Sequence, residues 1–352
     1  MRIISLGNKW AVLLVLVVIA MASYSSAAEK PIELKLAQYF SSAQMQSIIT
    51  ETWARKVEKD SNGRLRIIIF PDSSLLKGPE TWSGTVRGVA DIGCGWISGF
   101  GKEGMNPYHY GTVAWAATHG AKDAVEISKI GDELLKVFPP YAQEVAELKL
   151  LATYSLQNLI FISRNFQVQS LDDIKGRTIR SGNLAISTLV KYFGARPLFM
   201  PMGEVFLALQ KGTMDIHAGF SSNLIANRLG DVGRYVTRTL IPGGGPNIGF
   251  LGMNWNAWNK LPPDLQKVFE DNSEWVNFEV RSTRIKEEED GLNYAKSKGC
   301  QIFQLPPKEE EKIATALKEI AGKEAKEMDA KGMKGTEFME IMLKLTGKYI
   351  KK

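Results

Sequence analysis

Cysteine and histidine are scarce: the 352 residues hold two cysteines and three histidines. Cys94 and Cys300 lie far apart and share no spaced ligand cluster, so neither a metal centre nor a disulfide framework is expected. An oxidising compartment would permit a bridge between them, but Cys94 sits in an apolar strand pattern, where a small buried thiol is commoner. His109, His119 and His217 stand without a second ligand or carboxylate at metal-site spacing. There is no Gly-x-Ser-x-Gly elbow, Walker loop or His-Glu-x-x-His motif. Gly93-Cys-Gly-Trp-Ile-Ser-Gly99 has the wrong spacing for a dinucleotide loop, and Trp115 stands where a ribose-binding acid would be needed. We therefore expect no cofactor, no metal and no enzymatic step. The formal charge of +6 is spread through mixed-sign stretches such as Lys308-Glu-Glu-Glu-Lys312 and makes no nucleic-acid-binding face.

Long apolar runs are also missing, except at the amino terminus. Arg2 and Lys9 precede an uncharged stretch from Trp10 to Ala28, and Ser26-Ala27-Ala28 suits a signal peptidase. Residues 1–28 read as a secretory signal peptide cleaved after Ala28, which releases the chain into the periplasm. The competing reading, a retained anchor, is weakened by Ser23, Ser25 and Ser26. No cysteine lies near the cleavage point to carry a lipid. About 324 residues then remain, a length suited to two lobes.

What is present is a repeated unit. Arg87-Gly-Val-Ala-Asp-Ile-Gly-Cys-Gly-Trp96 and Lys211-Gly-Thr-Met-Asp-Ile-His-Ala-Gly-Phe220 share a pattern: basic, Gly, two residues, Asp-Ile, two residues, Gly, aromatic. Each follows a helical segment and leads into a strand, with Gly as a left-handed cap and Asp opening the strand from a turn. Strands at 64–70 and 197–200 lie upstream of the two helices. The pattern implies an α/β fold of two similar lobes, each a sheet covered by helices. Residues 29–157 with 248–280 are assigned to lobe I, and 158–247 with 281–352 to lobe II. A helix of about 263–298, opened by Pro262-Pro263 and closed by Gly299, would brace both, with Gly291 as a candidate kink. Pro242-Gly-Gly-Gly-Pro246 reads as a hinge or as a surface loop. Ligands of such lobes gather beyond the carboxyl ends of the strands, which places Gly95-Trp96 and Gly219-Phe220 across a cleft, although core packing is the other fate of each aromatic.

Arg180 ends the strand-like Arg177-Thr-Ile-Arg180, and Ser181-Gly182-Asn183 follow it before a helix whose amino terminus favours an anion. An arginine can hold a carboxylate with two parallel bonds. By spacing alone it could equally pair with Asp172 or Asp173. Ser170-Leu-Asp-Asp-Ile-Lys-Gly-Arg-Thr-Ile-Arg180 followed by Gly203-Glu-Val-Phe-Leu-Ala-Leu-Gln-Lys-Gly-Thr-Met-Asp215 resembles the signature of the periplasmic solute-binding proteins of tripartite ATP-independent (TRAP) transporters. The resemblance extends from Leu34-Lys-Leu-Ala through Phe70-Pro to the Leu261-Pro-Pro-Asp-Leu-Gln-Lys helix start. It implies that Arg180 clamps a substrate carboxylate. It also implies a long helix spanning both domains and delivery of an organic acid to membrane subunits of a TRAP transporter.

Two departures from the family pattern shape the expected ligand. Ile160 stands where many relatives that bind dicarboxylates or sialic acid carry a second arginine, and Gly219 where they carry asparagine. Tyr39, Trp96, Tyr154, Phe161 and Phe220 supply an aromatic surround, with Gln157, Asn158, Asn183 and Asn247 as hydrogen-bonding groups. A monocarboxylate with an apolar or aromatic body is therefore expected. The alternatives are a receptor that presents its ligand to a periplasmic sensor, and an enzyme that uses the same cleft on a carboxylate. Metal assistance through main-chain and amide ligands would leave no sequence signal.

Overall fold

A computed structural model of the chain describes residues 30–42, 44–97, 109–182 and 184–350; the leader expected at 1–28 and Asn183 lie outside the described residues. The first half runs β1 (Ile32–Gln38), α1 (Met45–Asp60), β2 (Leu65–Phe70), α2 (Thr81–Val86), β3 (Ile92–Trp96), α3 (Gly111–Ala117), α4 (Ala124–Val137), α5 (Pro139–Glu144) and β4 (Leu148–Tyr154). The chain continues with β5 (Asn158–Ser163), β6 (Thr178–Arg180), α6 (Leu184–Tyr192), β7 (Arg196–Leu198), α7 (Met202–Lys211), β8 (Ile216–Gly219), α8 (Ser222–Ala226), α9 (Leu229–Val232) and β9 (Tyr235–Pro242). It closes with β10 (Gly249–Asn254), α10 (Trp255–Lys260), α11 (Pro263–Ser297), β11 (Gln301–Gln304), α12 (Pro307–Ala330) and α13 (Gly335–Tyr349). No helix of the described residues is long and apolar enough to cross a membrane.

The strands form two sheets of related plan. One has the order β2-β1-β3-β10-β4 and the other β11-β9-β5-β8-β6-β7. In each, three successive strands of a βαβαβ run lie parallel with the first in the middle: β2-β1-β3 and β7-β6-β8. The repeated sequence unit explains this similarity. Gly88 (φ +77°) and Gly212 (φ +73°) occupy the left-handed region after α2 and α7, where a Cβ would be strained. Asp91 then accepts the main-chain N–H of Lys35 on β1 at 2.8 Å, and Asp215 accepts that of Thr178 on β6 at 2.8 Å. Each aspartate thus pins the start of its strand to the middle strand.

Beside each parallel trio runs one reversed strand, β10 in the first sheet and β5 in the second. Both are the first strands after the chain passes from one sheet to the other, at 155–157 and at 243–248. Each starts at the end where the parallel strands finish, as the pairs Gly249–Trp96 and Ile160–Gly219 show, and runs away from it. The two passages lie side by side, the N–H of Gly243 donating to the Gln157 carbonyl at 3.0 Å.

Helix α11 is the third connection. Its 35 residues reach about 50 Å. Leu265, Phe269, Val276 and Val280 pack into the core of the first sheet, and Leu292 and Ala295 into that of the second. The helix is continuous through Gly291; the missing Cβ there lets the Ser221 main chain lie against it. Helices α3 to α5, together with α12 and α13, form an apolar layer reaching both sheets, from Leu148 and Phe250 to Phe161 and Ile179. Cys94 and Cys300 are free buried thiols in the cores of different sheets. Burial pushes the Cys94 thiol up to about 11, against the opposing hydrogen bond with Thr50.

Candidate functional site

Arg180 is the last residue of β6 and is half-buried at the end where β8 also finishes. Its Nε and Nη2 donate to the Met200 carbonyl at 3.3 and 3.2 Å. That tether fixes the plane of the guanidinium, and no hydrogen bond among the described residues takes the edge formed by Nη1 and Nη2. The local acids are engaged elsewhere: Asp172 pairs with Lys175 at 2.6 Å, and Asp173 accepts the N–H groups of Gln169 and Ser170 at 2.8 Å. Burial lowers the Arg180 pKa from its ordinary value, Tyr39 opposes the shift, and no carboxylate contributes. A desolvated cation with no acidic partner among the described residues favours an anion.

Tyr39 follows β1 and comes from the other sheet. Its ring lies over Gly78, where an added Cβ would come within 2.5 Å, and packs at 5.2 Å from Phe40 and 6.4 Å from Trp96. Trp96 ends β3 and meets Phe40 at 5.0 Å and Tyr154 at 5.8 Å, edge to face. Burial raises the Tyr39 pKa; the Arg180 charge and the hydrogen bond from Trp96 pull it back. Tyr39, Trp96 and Arg180 therefore come together as an aromatic wall on one sheet and a cation on the other.

The remaining expected residues divide. Gly219 ends β8, and any Cβ there would collide with the His217 ring and approach Asn223 Oδ1 to 2.6 Å. The Phe220 ring lies over Gly243, so it faces the passage between the sheets. The side-chain donors of Gln157, Asn158 and Asn247, expected at the ligand, are engaged with protein groups. Gln157 donates to the Arg284 carbonyl at 2.7 Å and Asn158 to the Ala121 carbonyl at 2.7 Å. Asn247, buried with φ +54°, donates to Thr153 at 2.7 Å and accepts from the Tyr141 hydroxyl at 3.3 Å. Trp115 and Tyr141 also donate to the carbonyls of Pro242 and Pro246, at 2.7 and 2.9 Å. The 242–247 passage is thus held by side chains from α3 and α5, and the amides serve as its scaffold.

Sequence reading missed Arg284 and gave His217 no role. The Arg284 guanidinium donates to Gln46 on α1 at 2.9 Å and to Glu287 at 2.7 Å, and lies 5.4 Å from the Tyr154 ring. In sequence it looks like any charged residue of a solvated helix, yet its side chain is only 11% exposed. His217 is fully buried in register with Arg180. Burial, and then the Arg180 charge, push its pKa down to about 3, so the ring is neutral. Among the described residues no cluster of His, Cys, Asp and Glu could hold a metal ion.

The family model of the bacterial extracellular solute-binding proteins, family 7, matches residues 36–327. The C4-dicarboxylate-binding periplasmic protein of Rhodobacter capsulatus is 24% identical over 70% of this chain and 72% of its own. The monocarboxylate 2-oxoacid-binding periplasmic protein of Nostoc sp. is 25% identical over 62% of this chain and 59% of its own. A TRAP solute-binding protein from Rhodoferax ferrireducens T118, solved with copurified benzoate, superposes with a TM-score of 0.78 at 20% identity, covering 90% of this chain and 98% of that one.

Proposed function

Because the chain belongs to the bacterial extracellular solute-binding proteins of family 7, we propose that it captures an organic monocarboxylate with an apolar or aromatic body and delivers it to TRAP-type membrane subunits. The observation that carries this reading is Arg180, a tethered, half-buried cation with no acidic partner among the described residues, set opposite Tyr39 and Trp96. The carboxylate takes the Nη1–Nη2 edge, and the rest of the molecule lies against the aromatic wall. Closure of the lobes excludes water and strengthens the ionic contact. The secretory leader read at 1–28 would bring the chain to the periplasm, where the relative from Rhodobacter capsulatus is named as residing.

A second carboxylate is disfavoured by what surrounds the first. Ile160 and Gly219 are direct cross-strand partners and offer no polar side chain. Among the described residues, Arg238 is paired with Glu288 at 3.0 Å and Arg284 with Glu287 at 2.7 Å. An unpaired carboxylate held there would lose hydration worth several kcal/mol without replacement. The benzoate found in the Rhodoferax protein supports the same direction, whereas the name of the Rhodobacter protein points to dicarboxylates. A thermal-shift screen separates the two. At a hundredfold excess over Kd a ligand should add about 2.7 kcal/mol, and benzoate, phenylacetate and branched monocarboxylates should outrank succinate and sialic acid. The reverse order overturns the proposal.

A further inference from the structure

We propose that His217 is a positioning residue of this site: through Asn223 it sets the place of Phe220 and so the shape of the apolar end of the cleft. The inference rests on the reading of the cleft as a carboxylate site, and deepens it by naming what shapes the ligand's apolar half. His217 Nε2 lies 3.3 Å from Asn223 Oδ1. The same oxygen accepts the Phe220 main-chain N–H at 2.8 Å, and Asn223 Nδ2 donates to Asn227 Oδ1 at 3.1 Å. The main-chain donor identifies which Asn223 atom is the oxygen, so Nε2 must carry the histidine proton. Nδ1 is then an acceptor, and it is buried without a hydrogen-bond partner among the described residues. The proton therefore has one use here, the bond to Asn223.

The arrangement links the anion anchor to the passage between the sheets. Arg180 and His217 are register partners on adjacent strands, and the His217–Asn223 pair fills the space a side chain at 219 would need. Asn223 in turn holds the main chain of Phe220, whose ring rests on Gly243. A leucine at 217 would fill similar volume but leave Asn223 with one tether fewer; a glutamine could still donate to it. Because the ring is neutral far above its pKa of about 3, the device is insensitive to pH in the range where such receptors are assayed.

Two measurements test this on the full mature chain. Amide hydrogen exchange at Phe220, read by NMR with selective 15N-phenylalanine labelling, needs no ligand. Asn223→Ala sets the full loss of protection; His217→Leu should lose about three- to tenfold, and His217→Gln should stay near the parent. Calorimetry then compares benzoate, phenylacetate and 3-phenylpropanoate, whose affinity ratios should change at least about fivefold, roughly 1 kcal/mol, in His217→Leu and not in His217→Gln. A change in stability alone would leave the ratios as they were. If the parent binds none of these acids, the aromatic form of the carboxylate reading fails while the exchange arm still decides the role of His217. Parent-like protection of Phe220 in His217→Leu, or parent-like ratios where the acids bind, overturns the inference.

Discussion

Replacing Arg180 by alanine tests the anchor and allows a worked magnitude. In the parent Nε and one Nη2 hydrogen are engaged by the Met200 carbonyl, and no hydrogen bond among the described residues takes the Nη1–Nη2 edge. Removing one partner of a buried, hydrogen-bonded charge pair costs about 2 to 5 kcal/mol, which is about 30- to 4000-fold in Kd at about 1.4 kcal/mol per tenfold. Arg180 is half-buried, so the lower part of that range applies, and an affinity loss of about 100-fold is expected. A micromolar ligand would then bind near 0.1 mM. Arg180→Lys keeps the charge but loses both the fork and the tether to Met200, and should lose at least about tenfold. Stability without ligand should move little, within about 1 kcal/mol, since Met200 is itself half-exposed and its carbonyl can turn to water. Calorimetry with the best acid of the screen, beside urea unfolding of each variant, separates binding from folding. If both variants bind within threefold of the parent, the carboxylate is held elsewhere and the reasoning about Arg180 is wrong.

Three further outcomes follow from the same geometry. Gly243→Ala drives a methyl into the Phe220 ring and to 2.5 Å from the Gln157 carbonyl, so urea unfolding should show a loss of about 1 to 3 kcal/mol together with weaker ligand binding; a neutral result would mean that the passage can shift freely. Asp91→Ala and Asp215→Ala each remove the acceptor of a main-chain N–H on a middle strand, and should cost similar amounts, about 1 to 3 kcal/mol, with asparagine replacements costing less; an unaffected denaturation midpoint in either alanine variant contradicts the twin roles. The Asp231 carboxyl is held down at about 2, first by Lys298, then by Tyr294 and Arg228. Since its folded pKa lies below the ordinary aspartate value of about 3.9, its contribution is present above about pH 4 and disappears as pH falls toward 2. Acid unfolding of Asp231→Asn should therefore be shallower in that window, and an unchanged acid limb would remove Asp231 from the account.

Much of the plan was legible because its signals are local. The basic-Gly-x-x-Asp-Ile unit, read twice in the chain, became a left-handed cap and a strand start in both halves, and the proline-opened helix expected at about 263–298 runs from Pro263 to Ser297. Arg180 could be placed at a strand end for the same reason. The aspartates hid more than a turn preference: their bonds to Lys35 and Thr178 cross to neighbouring strands, which no spacing reveals. Asn158 and Asn247 looked like ligand groups because an amide in a loop carries no mark of its partner. Their donors go to Ala121, between α3 and α4, and to Thr153 on β4, partners that the fold brings near and no local spacing marks. The reversed strands β5 and β10 were likewise invisible, since alternation along a strand says nothing about the direction of its neighbour.

The sequence by itself determined the alternation of strand and helix, the duplication of one device, the length of the bracing helix and the presence of an arginine where a carboxylate could be met. These depend on backbone preferences and periodicities that extend over a few residues. Only the tertiary structure decided that Tyr39 and Trp96 stand opposite Arg180, that Arg238 and Arg284 are paired with Glu288 and Glu287, and that a neutral histidine occupies the space beside Gly219. The approach of Tyr39 to Arg180 and the Arg238–Glu288 pair join residues far apart in the chain, whereas the Arg284–Glu287 pair and the His217 ring beside Gly219 are local but are buried only by the packing of other elements; the charge and room left for a ligand are what remains after such partners have met.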